Sequence, residues 1–133
     1  MRIEYTAKRN LATGHTVDET YEIVCYAENY EPEFESLRNV NVSLDGSRVE
    51  IEGRGIVQTV DVTTDHIAAG SASDIFEEFL QSVMYGEEFV LDLASDSAAT
   101  AVDPLNVKMM SSVYRRERPI PGYYRYSFTA RVV

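Results

Sequence analysis

Ile3, Tyr5 and Ala7 alternate with Arg2, Glu4 and Thr6 at the start of the chain, the pattern of a half-buried strand. Residues 8–19 are polar and unpatterned, and predict a loop or flexible arm. Tyr21 to Tyr26, rich in β-branched and aromatic side chains, predicts a second strand. Glu28 to Glu33 is expected to break it, because Pro32 removes a ladder donor and the acids crowd together. Val40, Val42 and Leu44 then alternate with polar residues, Asp45-Gly46 follows, and Val49 and Ile51 alternate with Arg48, Glu50 and Glu52. Asp-Gly between two such runs predicts a tight type I′ hairpin, whose two central residues need positive φ. Gly53 and Gly55 predict a further turn, and Ile56 to Val62 a third consecutive antiparallel strand.

The period changes at residues 71–85. Ile75, Phe76, Phe79, Leu80 and Val83 fall at helical spacing, with Glu77, Glu78 and Gln81 between them. Ser71 or Ser73 suits the cap, Asp74 the first turn, and Gly86 the left-handed stop. Phe89 to Leu93 reads as a strand, 94–106 as an unusually long loop, and Val107 to Arg116 as another strand. Pro119-Ile120-Pro121-Gly122 turns the chain into Tyr123 to Val133, where Tyr124, Tyr126, Phe128, Ala130 and Val132 oppose Arg125, Ser127, Thr129 and Arg131. The order of strands, one helix, then strands predicts an α+β, mostly β fold. Its expected architecture is an antiparallel sandwich or barrel with one packed α-helix.

A length of 133 residues fits a single domain spanning 1–133, with enough apolar content (44%) to fold without metal or disulfide. Cys25 is the single cysteine, so an intrachain disulfide is excluded, and its apolar neighbours predict a buried, inert thiol. No stretch has the apolar length to span a bilayer, and the first residues read into a strand rather than a signal peptide, so synthesis in the cytoplasm is expected.

Charge changes the picture more. The chain carries −10 overall, yet residues 108–133 hold six basic residues against the single acid Glu117, a net +5 that leaves −15 for residues 1–107. Either the basic strands pair with acidic strands of the same sheet, or the two regions face apart and copies attract head to tail. Arg115, Arg116, Arg118, Arg125 and Arg131 are therefore the candidate subunit-interface residues. A nucleic-acid surface is the competing use of these arginines, with Tyr114, Tyr123 and Tyr124 as stacking faces. Against it, the alternation places Tyr124 and Tyr126 opposite Arg125, and the acidic remainder repels a polyanion.

Catalytic, cofactor and metal sites are not expected. His15 and His66 lack partners at metal-ligand spacing and read as surface histidines. Glu77-Glu78 and Glu87-Glu88 are adjacent acids that do not face each other as a glycosidase pair does, and read as solvated charge. Gly53-Arg54-Gly55 lacks the continuation of a phosphate loop, and no G-x-S-x-G elbow occurs.

The helix and its exit read Phe76-x-x-Phe79-Leu80-x-x-Val83-x-x-Gly86-Glu87-x-Phe89. A Pro-bearing loop, Val107-x-Met109 and Tyr114-Arg115-Arg116 follow, and the chain closes on Tyr124-x-Tyr126-Ser127-Phe128-x-x-Arg131-Val132-Val133. This layout resembles minor tail and distal tail proteins of long-tailed bacteriophages, best over the last 60 residues or so and in outline before them. The resemblance implies a tail-tube-like β-sandwich that closes into a homohexameric ring at the tail tube or tail tip of the virion. It also implies contacts with other phage tail proteins, and DNA that passes through without specific binding. The loops at 8–19 and 94–106 would then be arms that order on assembly. A length of 133 residues leads us to expect no second domain of the kind many distal tail proteins carry, which favours a small minor tail or tube-adaptor protein. A small ligand-binding or enzymatic β-barrel of unknown substrate stays as the alternative, and nothing in the sequence names its substrate.

Overall fold

The alternating runs become strands in a computed structural model that describes residues 1–92 and 103–133, the side chains of Asn39, Glu50, Glu52 and Arg54 excepted. The elements in chain order are β1 (Arg2–Thr6), β2 (Thr20–Val24), β3 (Ala27–Val42), β4 (Val49–Thr64), β5 (Ile67–Ala68), α1 (Ser71–Val83), β6 (Glu88–Asp92), β7 (Pro104–Met109), β8 (Arg115–Glu117) and β9 (Tyr123–Val132). All pairings are antiparallel, so the fold is α+β and mostly β, with a single helix among the described residues. None of its helices is long and apolar enough to cross a membrane.

The sheet runs β2-β1-β6-β7-β9-β4-β3, with β5 and β8 flanking β9. Strands β2 and β3 stand at opposite ends of that order, yet only Cys25 and Tyr26 separate them. The Cys25 amide donates to the Met1 carbonyl, and the Tyr26 carbonyl accepts from the Asp65 amide. One continuous segment therefore leaves one edge and joins the other, which forces the sheet to roll up at that corner.

Helix α1 fills the interior. Ser73 Oγ bonds both the amide and the carbonyl of Gly70 at 3.0 Å, closing the first turn, and Gly86 (φ 95°) stops the helix as expected. Phe76, Phe79, Leu80 and Val83 are buried against Tyr5, Phe89, Tyr126 and Phe128. The Phe79 ring lies edge-on to Tyr5 at 5.3 Å and to Phe89 at 5.1 Å, while Phe76 stacks on Tyr126 at 4.9 Å. β9 is central, flanked by β7 and β8 on one side and β4 and β5 on the other. Thr64 Oγ1 accepts the buried Tyr126 amide at 3.0 Å at the junction of β4 and β5, neither of which pairs with Tyr126.

Three expectations are corrected. Pro32 does not end a strand: β3 runs through it, with Pro32 opposite Val60. An edge strand tolerates proline because alternate amides face away from its one neighbour. Gly53 and Gly55 do not make a turn either. They sit in a bulge, where Leu37 pairs with Gly55 (φ 130°) and Arg38 with Gly53, so the expected second and third strands of a meander are one long β4. Finally, Val107 to Arg116 is two strands, because β7 starts already at Pro104 and stops at Met109, and β8 begins at Arg115. Of the predicted loop 94–106, residues 94–102 lie outside the described residues.

Burial keeps several phenols neutral. Burial moves the ionisation of Tyr5 and Tyr126 to higher pH, and the pKa of Tyr30 is pushed up to about 12 by burial and then by Asp103 and Asp92. An unfolded tyrosine ionises near pH ~10. The stability these phenols lend is whole below that value and is lost as the pH rises toward about 12, by linkage. Alkaline titration should show the buried phenolates appearing together with loss of the circular-dichroism signal. Ionisation of all nine tyrosines ahead of unfolding would contradict the packing.

Candidate assembly interface

β3 and β4 pair along their whole length, from Ala27 opposite Thr64 to Val42 opposite Val49. β4 pairs with β9 only from Thr59 to Thr63. Past that point the hairpin has no third strand among the described residues, and Phe34 to Val42 with Val49 to Gln58 stands out as a two-stranded ribbon. At about 3.3 Å per residue it projects roughly 30 Å. A lone two-stranded hairpin is marginal in water and gains stability when something packs on it.

The two faces of this ribbon differ. Residues opposite each other share a face. Phe34, Ile56, the pair Val40 and Ile51, and the pair Val42 and Val49 lie on one side, each more than half exposed. That side continues the inward face of Val60 and Val62. The other side carries Glu31, Glu33 and Glu35, all exposed, with Asp61 opposite Glu31. The ribbon thus extends the core's apolar face into solvent and backs it with carboxylates.

The tip is tightly built. The Gly46 amide donates to the Ser43 carbonyl at 2.9 Å, and the Ser43 amide to the Arg48 carbonyl at 2.8 Å. Asp45 Oδ1 accepts from both Ser47 groups and from Ser43 Oγ, which pull its ionisation down to about 2. Gly46 (φ 72°) has positive φ and Asp45 does not, so the hairpin is real but its turn is a four-residue loop rather than type I′. Leu44 in that loop is fully exposed.

The five arginines separate into two groups. Arg125 is held by Glu28 at 2.8 Å and Glu117 at 2.9 Å. Arg116 pairs with Glu77 at 3.3 Å and lies 4.6 Å over the Tyr124 ring. Their charge is answered within the chain. Arg115, Arg118 and Arg131 are exposed and make no ion pair among the described residues. Arg131 lies opposite Lys108 on β7 and Thr59 on β4, so unpaired positive charge faces outward on the same side as the carboxylates of β3, two strands away. The basic segment is therefore answered in part within the chain, by the partners of Arg116 and Arg125. Of the candidate stacking faces, Tyr124 is covered by Arg116 and Tyr114 is half-buried, while Tyr123 stays exposed.

The segment 8–19 is pinned to the body. Glu78, expected in solvent, is fully buried. Its carboxylate accepts from Tyr5 Oη at 2.8 Å and the Leu11 amide at 3.3 Å, and meets His15 Nδ1 at 2.5 Å. His15 is half-buried, not a surface residue, and stacks on Tyr21 at 3.7 Å. Ser82 Oγ accepts the Lys8 amide at 2.9 Å, so two positions one helical turn apart clamp the loop. Glu87 and Glu88 are exposed, as expected.

A groove of about 410 Å³ runs between the outer edge of β2, β5 and α1. Ile23, Cys25, Ile67, Ala72 and Ile75 line it, with Glu22 and the exposed His66 beside them. Cys25 is half-buried here instead of sealed in the core. Among the described residues, no group of three or more His, Cys, Asp or Glu is placed to hold a metal ion.

No protein-family model matches the chain, and no curated protein does. Its fold is similar to that of a solved chain from the tail of an empty GTA (gene transfer agent) particle, computed with helical refinement in C6 symmetry. The TM-score is 0.52 at 12% identity, over 98% of this chain and 89% of that one. At that identity the shared property is the fold alone.

Proposed function

We propose that the chain is a non-catalytic structural protein of a bacteriophage or prophage-derived tail, a single domain that closes into a homohexameric ring at the tail tube or tail tip. One observation carries this reading: a ribbon of roughly 30 Å that extends the core's apolar face into solvent. An apolar surface of that extent marks a site of protein association. The fold shared with a chain of a C6-symmetric tail supports a ring of copies as the partner. In this reading Arg115, Arg118 and Arg131 meet carboxylates of a neighbouring subunit, while Arg116 and Arg125 brace the subunit itself. Other tail proteins would abut the ring, and DNA would pass an acidic surface without specific binding.

Light scattering and electron microscopy of the purified protein at rising concentration test it. Rings or tubes with sixfold symmetry are expected. Charge reversal of Arg115, Arg118 and Arg131 to Glu should slow their formation and leave the melting temperature nearly unchanged. A protein that stays monomeric at every concentration and salt would overturn the proposal.

A further inference from the structure

The hairpin carries a knob at one end and a socket at the other. Leu44 is a fully exposed apolar side chain in a loop held rigid by the Asp45 hydrogen bonds. The groove between β2, β5 and α1 includes Tyr26, the residue immediately before β3 begins at Ala27. β3 then runs 16 residues away from it. At about 3.3 Å per residue the tip lies roughly 50 Å from the chain's own groove, so it cannot fold back into it.

We infer that the hairpin tip of one copy, anchored by Leu44, docks into the groove between β2, β5 and α1 of the next copy. Shape and chemistry agree: a rigid apolar knob meets a slot floored by Ile23, Ile67, Ala72 and Ile75. Charge agrees as well, because Arg48 flanks the knob and the exposed Asp65 stands beside the socket, whose Glu22 is already paired with Arg2. β2 ends the sheet order, so its outer edge offers unpaired backbone groups to an incoming extended segment. A knob and a socket on opposite ends of one subunit make a head-to-tail contact, the kind that generates rings when the rotation closes and tubes when it does not. This rests on the assembly reading and names the surface that meets the ribbon tip.

The chain supplies its own probe, since Cys25 lines the groove and is the single cysteine. Leu44→Cys protein, assembled and mildly oxidised, is expected to give a ladder of disulfide-linked multimers. The ladder should vanish in Leu44→Cys/Cys25→Ala and be absent from Ser36→Cys, a control on the ribbon shaft. A disulfide forms only when the two Cα atoms come within about 7 Å, so the ladder reports docking directly. Leu44→Asp should raise the concentration needed for assembly on the order of tenfold or more. If the unaltered protein assembles but Leu44→Cys gives no ladder, the socket is wrong, whether or not Leu44→Asp impairs assembly. If the unaltered protein never assembles, the assembly reading itself falls, and the docking with it.

Discussion

Glu78→Ala is expected to destabilise the protein by about 3–5 kcal/mol, because the Tyr5 hydroxyl, the Leu11 amide and the His15 ring each lose a buried hydrogen-bond partner at roughly 1–3 kcal/mol apiece. For a chain of this size that corresponds to a fall in Tm of roughly 10–20 °C. Glu78 is fully buried and serves Tyr5, Leu11 and His15 together. Truncation strands all three and opens space beneath the segment 8–19. Glu78→Gln keeps an acceptor for the Tyr5 hydroxyl and should lose less. Thermal and urea denaturation measure the cost, and amide exchange should show the loop amides between Lys8 and Glu19 losing protection first. A Glu78→Ala protein that melts with the unaltered one would mean that the carboxylate contributes no net stability and that the loop is held by other means.

The double substitution Val40→Asp/Ile56→Asp should act in the opposite way, sparing the monomer and abolishing assembly. Both side chains are more than half exposed on the ribbon, so the isolated chain loses little by their removal, within about 0.5 kcal/mol. Buried against a neighbour, each would contribute roughly 1.5–3 kcal/mol. Losing both shifts the concentration for assembly by about two to four powers of ten. Circular dichroism and sedimentation of the two proteins separate the effects. Assembly at the original concentration would show that this face stays in water in the particle. Reduced monomer stability would mean instead that the ribbon packs on its own body.

What could be read along the chain was whatever depends on near neighbours. The inward and outward sides of β9, the apolar stripe of α1 with its glycine stop, and a hairpin tip at Asp45-Gly46 all follow from spacing within about ten residues. The strand break expected at Pro32 and the turn expected at Gly53 and Gly55 are local rules too, and there tertiary context prevailed. Pairing with β4 along its length holds β3 straight, and an edge position makes the missing amide harmless.

The candidate interface was legible only in part. Residues 108–133 announced their excess of positive charge, but which arginines are spent internally depends on Glu28 and Glu77, 97 and 39 residues away from their partners. Nothing in the local pattern of Glu78 marks it as buried, because the loop that covers it lies 63 to 67 residues earlier. The projecting ribbon was read as ordinary hairpin strands, since alternation tells which residues share a face but not whether anything lies against it. The sequence by itself determined the helix, the alternation of the strands and the charge of each segment, because side-chain period and turn chemistry act over short distances. Only the tertiary structure decided that β4 outruns β9, leaving an apolar ribbon uncovered, because the length of a strand's pairing is set by where its distant partners end.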